Sequence, residues 1–249
     1  MRYFVCLSYK GTHYHGWQVQ ENAPSVQAEL HRALSLLLGE PVVVVGAGRT
    51  DTGVHARRYV AHFDSTRNLQ NDKMRRIHQV NAILPPDICV YDIFPVHDTA
   101  HARFDAVERT YKYYIHTAPN PFLLDFSVYV PYPLDVEAMN AAAATMLKYD
   151  DFTSFAKLHG NNKTNLCKLT KAGWEKTDSG LVFTISANRF LRNMVRAIVG
   201  TLLDVGRGKT PIDDFVRIIE RKERRASGAS APAKGLFLEQ ICYNYVKNK

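Results

Sequence analysis

The chain has 249 residues, 46% of them hydrophobic, and a formal net charge of +8 with a pI near 9.3. This hydrophobic content excludes a wholly disordered chain, and no apolar run approaches the roughly 18 residues that a membrane span requires. A basic balance is typical of proteins that bind a polyanion, with a merely basic globular protein as the alternative.

The first hundred residues predict a strand, a helix, two strands, a helix and a strand, at residues 3–9, 25–39, 42–45, 58–63, 71–84 and 88–97. Ser25 is a typical N-cap and Gly39 a typical stop of the first helix, whose apolar residues recur at helical period. Pro85 and Pro86 end the second helix. The order is therefore β-α-β-β-α-β.

After a boundary near residue 105 the same order can be read again, with strands at 107–117, 168–177, 180–187 and 236–245 and helices at 135–148 and from Asn188. A Pro-rich loop at 119–133 and a short helix after Pro211 are additions to this half. The Ala/Ser/Gly-rich stretch at 226–235 is typical of a mobile loop.

Two such halves, residues 1–105 and 106–249, predict an α+β fold of two ferredoxin-like or RRM-like βαββαβ units. We expect their antiparallel sheets to join into a larger central sheet, with helices packed on one side and a basic cleft between the halves. The N-terminal half then carries the aspartate loop described next, and the C-terminal half the tyrosine strand and an arginine-rich helix.

The segment VVVVGAGRTDTGVHA presents Arg49 and Asp51 in a glycine-rich turn after a buried-type strand. It lacks the Gly-Lys-Ser/Thr ending of a P-loop and has Asp51 where a dinucleotide-binding loop needs glycine. A nucleotide-dependent enzyme is therefore disfavoured. A nucleophilic carboxylate needs a nearby cation to keep it ionised, which Arg49 could supply. The alternative is a turn aspartate that binds its own backbone.

An apolar helix is predicted to start at Asn188, with Arg189, Arg192 and Arg196 on its other side. Like charges at this spacing repel, and the helix dipole disfavours cations near the helix start. We therefore expect outside anions, either RNA phosphates or, for Arg196, a carboxylate of this chain. Three solvated arginines are the alternative.

In the predicted strand RTYKYYI, Tyr111 and Tyr113 share one face and Tyr114 lies on the other. Paired tyrosines usually pack in a sheet, as we expect for Tyr113 and Tyr114. Tyr111 could instead stack on an unpaired base. The sequence alone does not separate these two roles.

The cysteines lie far apart, and neither they nor the histidine pairs have the spacing of a zinc site, so no metal is expected. We expect reduced thiols in a cytoplasmic protein. The cysteines are Cys6, Cys89, Cys167 and Cys242.

Seven motifs in order resemble the tRNA pseudouridine synthase A family over nearly the whole chain. They are GTHYHGWQ at 11–18, GRTDTGVHA at 48–56, HARFDA at 101–106, RTYKYYI at 109–115, DFTSFAK at 151–157, NRFLRNMVRAIVGTLLDVG at 188–206 and KGLFLEQICY at 234–243. GRTDTGVHA is the most specific of them. One departure is Leu166-Cys167-Lys168, where many members carry an arginine, so an RNA contact of that loop is in doubt.

The resemblance implies a homodimeric isomerase without cofactor or metal that acts on uridines at positions 38–40 in the anticodon stem-loop of tRNA. It makes Asp51 the nucleophile and Tyr111 the aromatic residue against the target base. It makes Arg49 a helper in base extrusion, Arg196 the ion-pair partner of Asp51 and Leu236 an apolar wall of the pocket.

Formation of pseudouridine breaks the bond from N1 to the sugar and rejoins the base through C5. A carboxylate could attack either C6 of the base or C1′ of the ribose, and both remain open. Tyr111 or Asp51 itself could accept the C5 proton. A non-catalytic RNA-binding module on RRM-like sheets is the main rival, although a pure binder gains nothing from a carboxylate facing RNA.

Overall fold

The computed structural model describes residues 1–157 and 164–245, and these contain nine strands and five helices, an α+β fold as predicted. The elements are β1 (Arg2–Tyr9), α1 (Val26–Leu38), β2 (Val45–Gly46), β3 (His55–Asp64), α2 (Lys73–Ile83), β4 (Ile88–Val96), β5 (Ala106–His116), β6 (Val128–Tyr129), α3 (Val136–Thr145), β7 (Leu169–Thr177), β8 (Gly180–Ala187), α4 (Met194–Gly206), α5 (Ile212–Arg221) and β9 (Leu236–Tyr243). Within the described ranges, every helix is too short or too polar to cross a membrane.

The chain divides into two compact units. Unit 1 comprises Met1–Val107 and Leu238–Lys249, and unit 2 comprises Glu108–Phe237. The strand β9 therefore contributes most of its residues to unit 1, although its first two residues, Leu236 and Phe237, are the last two of unit 2.

In unit 1 the strands lie in the order β4-β1-β3-β9, and β2 pairs with β3. β1 is antiparallel to both of its neighbours, so that Val5 lies opposite Ala61 on β3 and Ile93 on β4. A strand between two neighbours that is covered on both faces is apolar along most of its length, as β1 is.

Helix α1 begins and ends where the sequence predicts. The Ser25 hydroxyl accepts a hydrogen bond from the Ala28 N–H, and Gly39 takes the left-handed conformation with φ of 66°. The buried face is formed by Val26, Leu30, Ala33, Leu34 and Leu38.

The strand predicted over 42–45 is wrong for most of its length, because pairing is confined to its last residue and Gly46 in β2. Side chains of α1 bind this backbone instead. The Val44 carbonyl accepts from Gln27 Nε2 at 2.7 Å and contacts His31 Nε2 at 3.1 Å. The valines are thus an extended segment held by a helix.

In unit 2 the strands lie in the order β5-β8-β7, all antiparallel, and β6 pairs with β5 in parallel. The parallel pair makes this a mixed arrangement. β6 lies inside the segment that the sequence predicts as a Pro-rich loop, and α5 is the predicted short helix after Pro211.

The helix predicted to start at Asn188 starts at Met194 instead. Asn188 is engaged elsewhere: its side chain accepts from the Lys168 N–H at 2.9 Å and its own N–H donates to the Lys168 carbonyl at 3.1 Å. Asn193, the residue before the helix, has φ of 66°. Arg189 and Arg192 therefore precede α4, and the predicted arginine stripe on one helix is wrong.

The stretch at 226–235, predicted to be mobile, is instead held against α4. The Gly228 N–H donates to the Thr201 hydroxyl at 3.0 Å, and the Ala231 N–H donates to the Arg196 carbonyl at 2.9 Å. Small residues give this stretch the composition of a flexible loop, but here they allow close packing on a helix.

Candidate active site

The loop that carries Asp51 connects β2 to β3 in unit 1. Thr50 is buried, Asp51 is partly exposed and Arg49 is exposed. The Val54 N–H donates to the Asp51 carbonyl at 3.1 Å, so Asp51 is the first residue of a turn that spans residues 51–54. The predicted turn position of Asp51 is confirmed.

Three buried aromatic rings support the base of this loop. The Tyr9 and Thr50 hydroxyls share a hydrogen bond of 2.9 Å. The Tyr59 hydroxyl donates to the Gly48 carbonyl, and Trp17 stacks on the Tyr59 ring with centroids 4.0 Å apart. Gly48 and Thr50, the residues on either side of Arg49, are therefore held by phenol groups from β3 and β1.

The segment GTHYHGWQ packs directly against the loop backbone. An added Cβ on Gly16 would lie 2.2 Å from the Thr50 carbonyl oxygen, and one on Gly11 would lie 2.0 Å from that of Val54. Gly16 also has φ of +88°, a conformation that other residues rarely adopt. The Gly11 N–H donates to Nδ1 of buried His55 at 3.0 Å. The glycines thus permit a contact that fixes the aspartate loop.

Tyr14 ties the loop to a second turn of unit 1. Its carbonyl accepts from the Gly53 N–H at 3.3 Å, and its hydroxyl donates to Asp87 Oδ1 at 2.6 Å. Burial, followed by the hydrogen bond to Asp87, raises the pKa of Tyr14 well above its usual range, so the phenol remains a proton donor.

In unit 2, Tyr111 lies on β5 opposite Ile185 of β8, and its half-buried ring makes a T-shaped contact with Phe190 at 5.1 Å. Tyr113 is fully buried and donates to the Pro232 carbonyl at 2.8 Å. The predicted packing role of Tyr113 is confirmed, and Tyr114 is half-buried against Phe237.

Arg196 lies in the first turn of α4 and is half-buried. Its Nε–H donates to the Ala231 carbonyl at 2.7 Å. Burial raises the pKa of Tyr113, and the positive charge of Arg196 acts in the opposite direction, so the guanidinium and this tyrosine are neighbours. Leu236 is buried at the start of β9.

The other two arginines lie in the connection before α4. Arg192 is exposed, and Arg189 is half-buried. Burial raises the pKa of Cys167 to about 11, and the charge of Arg189 opposes this rise, so Arg189 lies near the segment that departs from the family pattern. Residues 1–157 and 164–245 contain no group of three or more His, Cys, Asp or Glu that could hold a metal ion.

The supporting residues were missed by the sequence reasoning, which singled out the exposed tip. Gly16 and Trp17 are the clearest examples. A signal was present in GTHYHGWQ, where glycines stand beside aromatic residues, but these residues contact others that lie 34 to 43 positions later in the chain.

Comparison with known proteins identifies the family. A family model described as tRNA pseudouridine synthase matches residues 5–105 and 142–244, more than half of the chain. The chain is 53% identical to tRNA pseudouridine synthase A of Bacteroides fragilis, over 97% of this chain and 96% of the relative. The identity is 53% to the enzyme of that name from Bacteroides thetaiotaomicron, over 97% and 90%, and 50% to that from Porphyromonas gingivalis, over 97% and 97%.

Among solved structures, a dye-decolorizing protein from V. cholerae matches with a TM-score of 0.24 and 12% identity, over 84% of this chain and 88% of that one. Likeness this low carries no argument. The family model and the near-full-length relatives, in contrast, agree with each other and with the seven motifs. This chain belongs to the tRNA pseudouridine synthase family.

Proposed function

We propose that this chain isomerises uridine to pseudouridine in the anticodon stem-loop of tRNA, with Asp51 as the nucleophile. The observation that carries the proposal is a family match over nearly the full chain together with a partly exposed aspartate in GRTDTGVHA, on a loop whose neighbouring residues are held by hydrogen bonds and packing. Rigid support suits a nucleophile, because a group held near its attack geometry avoids the entropy cost of being brought there.

The reaction breaks the bond between N1 and C1′ and forms a bond between C5 and C1′, while C5 loses a proton and N1 gains one. The product is an isomer of the substrate, so the balanced reaction involves neither an oxidant nor a group acceptor. If the carboxylate adds to C6, the base stays bonded to the enzyme while it turns; if it attacks C1′, the ribose is bonded instead and the displaced base must be held by the pocket until C5 attacks C1′. Both routes place the same demand on Asp51, that it be ionised when it attacks.

The other site residues have distinct roles in the proposal. Arg196 pairs with the Asp51 carboxylate and orients it towards the nucleoside. Tyr111 lies against the flipped base and is one candidate for the C5 proton acceptor, with Asp51 as the other. Leu236 forms an apolar wall of the base pocket.

Binding and extrusion of the target nucleoside fall to the exposed cations. Arg49 lies two positions from the nucleophile, where it can fill the space that an extruded base leaves. Arg189 and Arg192 contact tRNA phosphates, in keeping with the net charge of +8. We further propose that two ferredoxin-like halves enclose a basic cleft and that the enzyme works as a homodimer in the cytoplasm.

The direct test uses the purified chain and unmodified tRNA transcripts that carry tritium at uridine C5. Pseudouridine formation releases this tritium to water, and mapping of the product then identifies the modified positions. We expect release in proportion to pseudouridine confined to the anticodon stem-loop. Tight tRNA binding without tritium release would instead indicate an RNA-binding module and overturn the proposal.

A further inference from the structure

The segment 224–231 forms a seat for the Arg196 side chain. The Ala231 carbonyl accepts from Arg196 Nε at 2.7 Å, while the Ala231 N–H donates to the Arg196 carbonyl at 2.9 Å. These two hydrogen bonds join backbone and side chain of one residue to a single partner. Because the Nε–H lies in the plane of the guanidinium, the Ala231 carbonyl determines where Nη1 and Nη2 point.

A polar cluster next to Ala231 holds this segment in place. The Ser230 hydroxyl oxygen accepts from Asn193 Nδ2 at 2.7 Å and from Arg224 Nη2 at 3.0 Å. Arg224 Nη1 also donates to the Ser227 hydroxyl at 2.8 Å and to the Gly228 carbonyl at 3.3 Å. Arg224 therefore binds neutral oxygens at successive points along the segment and acts as a clamp on it.

The segment has no room to move towards the helix. An added Cβ on Gly200 would lie 1.8 Å from the Ala229 carbonyl oxygen, and the Thr201 hydroxyl accepts the Gly228 N–H at 3.0 Å. A small residue on α4 and small residues in the segment thus bring two backbones together. This contact and the Arg224 clamp restrain the segment on both sides of Ala229.

We propose that Arg224, Ser230 and Asn193 position the Arg196 guanidinium for the isomerisation, a role that rests on the proposed function of Arg196. A long side chain loses rotamer freedom when it is fixed in one orientation, and this loss opposes any reaction that must fix it. The Ala231 seat fixes that orientation before substrate binds, so the guanidinium needs no reorganisation when the carboxylate acts.

The test compares Arg224→Gln and Ser230→Ala with Arg225→Gln, which alters the exposed neighbouring arginine. Arg224→Gln removes the clamp, and Ser230→Ala removes the shared acceptor with little change in volume. We expect kcat to fall by about tenfold to a hundredfold in the first two variants, with KM for tRNA within about twofold of the parent. Arg225→Gln should retain the parent kcat.

A second readout follows Arg196 itself. Hydrogen exchange of the Arg196 Nε–H, measured by NMR on the free protein, should be slow in the parent and faster in Arg224→Gln and Ser230→Ala. Exchange at the parent rate in both variants would overturn the positioning role, whatever their activity. An Arg196→Ala variant with full turnover would instead remove the catalytic role of Arg196, and with it the reason for the seat.

Discussion

Replacing Gly16 by alanine should disable the enzyme although Gly16 contributes no chemical group. The added Cβ would lie 2.2 Å from the carbonyl oxygen of Thr50, which precedes Asp51, the proposed nucleophile, and Cβ atoms in proteins keep at least 3.0 Å from such atoms. The obstructing atom belongs to the backbone, so no side-chain rotation relieves the clash. Gly16 or the Asp51 loop must therefore move by about 0.8 Å.

Two effects set the magnitude of this change. A displacement near 1 Å of a reacting group costs about a hundredfold in rate. The left-handed backbone at Gly16 adds strain of about 1–2 kcal/mol for a residue with a Cβ, which lowers the free energy of unfolding. We expect Gly16→Ala to lower kcat by about a hundredfold and to leave tRNA affinity nearly unchanged, because the clash falls on the backbone of buried Thr50 and the exposed arginines are kept.

The assay is tritium release from tRNA labelled at uridine C5, with tRNA affinity and thermal unfolding measured in parallel. Gly208→Ala is the matched control, since Gly208 has φ of +71° but no atom within 4 Å of an added Cβ. This control carries the backbone strain without the clash and should retain the parent kcat. A Gly16→Ala enzyme with the parent kcat, or an equal loss in Gly208→Ala, would refute the reasoning.

Three further predictions follow from charge and burial. Arg196→Ala should lower kcat more than affinity, whereas Arg192→Ala should mainly weaken tRNA binding and reduce its salt dependence; equal effects in both assays would contradict this. Burial lowers the pKa of His62 to about 4, so the unfolded chain binds more protons between about pH 6.5 and pH 4. Stability should fall by about 1–2 kcal/mol from pH 7 to pH 5 in urea titrations, and less in His62→Asn; identical slopes would count against this. Because burial raises the pKa of Cys167 to about 11, iodoacetamide at pH 8 should modify it about tenfold or more slowly than exposed Cys89, which mass spectrometry of the native protein checks.

Local signals were sufficient for the elements whose ends are determined by neighbouring residues. Helix α1 begins after Ser25 and ends at Gly39 as predicted, because a hydroxyl cap and a left-handed glycine each act within one turn of the helix. The glycines around Asp51 likewise predicted the turn in which this residue lies, because they stand within a few residues of it.

Non-local contacts account for the predictions that failed. Asn188 has the composition of a helix cap, yet its amide binds the Lys168 backbone, 20 residues earlier, and the helix begins only at Met194. The segment at 226–235 reads as mobile because its residues are small, but a glycine on α4 gives those small residues a surface to pack on. The Lys168 backbone and the glycine on α4 both lie too far along the chain to affect a pattern of neighbouring residues.

The arginines show the same difference between local and non-local contacts. Arg49 was recognisable beside Asp51 because the two are close in sequence, whereas the seat of Arg196 on Ala231 joins residues 35 positions apart. The predicted helix stripe grouped Arg196 with two arginines that precede the helix. The helical period applies only if residues 188–206 form one helix. The left-handed conformation of Asn193 separates the first two arginines from α4, so the period does not apply to them.

The most direct measurement is turnover of Asp51→Ala and Asp51→Asn on tRNA labelled with tritium at uridine C5, beside Asp178→Asn as an exposed control in the turn after β7. Both Asp51 variants should release no tritium above background while binding tRNA within about threefold of the parent, because a nucleophile is lost but the basic surface is kept. Asp178→Asn should turn over like the parent. Tritium release by Asp51→Ala at a rate near that of the parent would contradict the assignment of this carboxylate as the nucleophile.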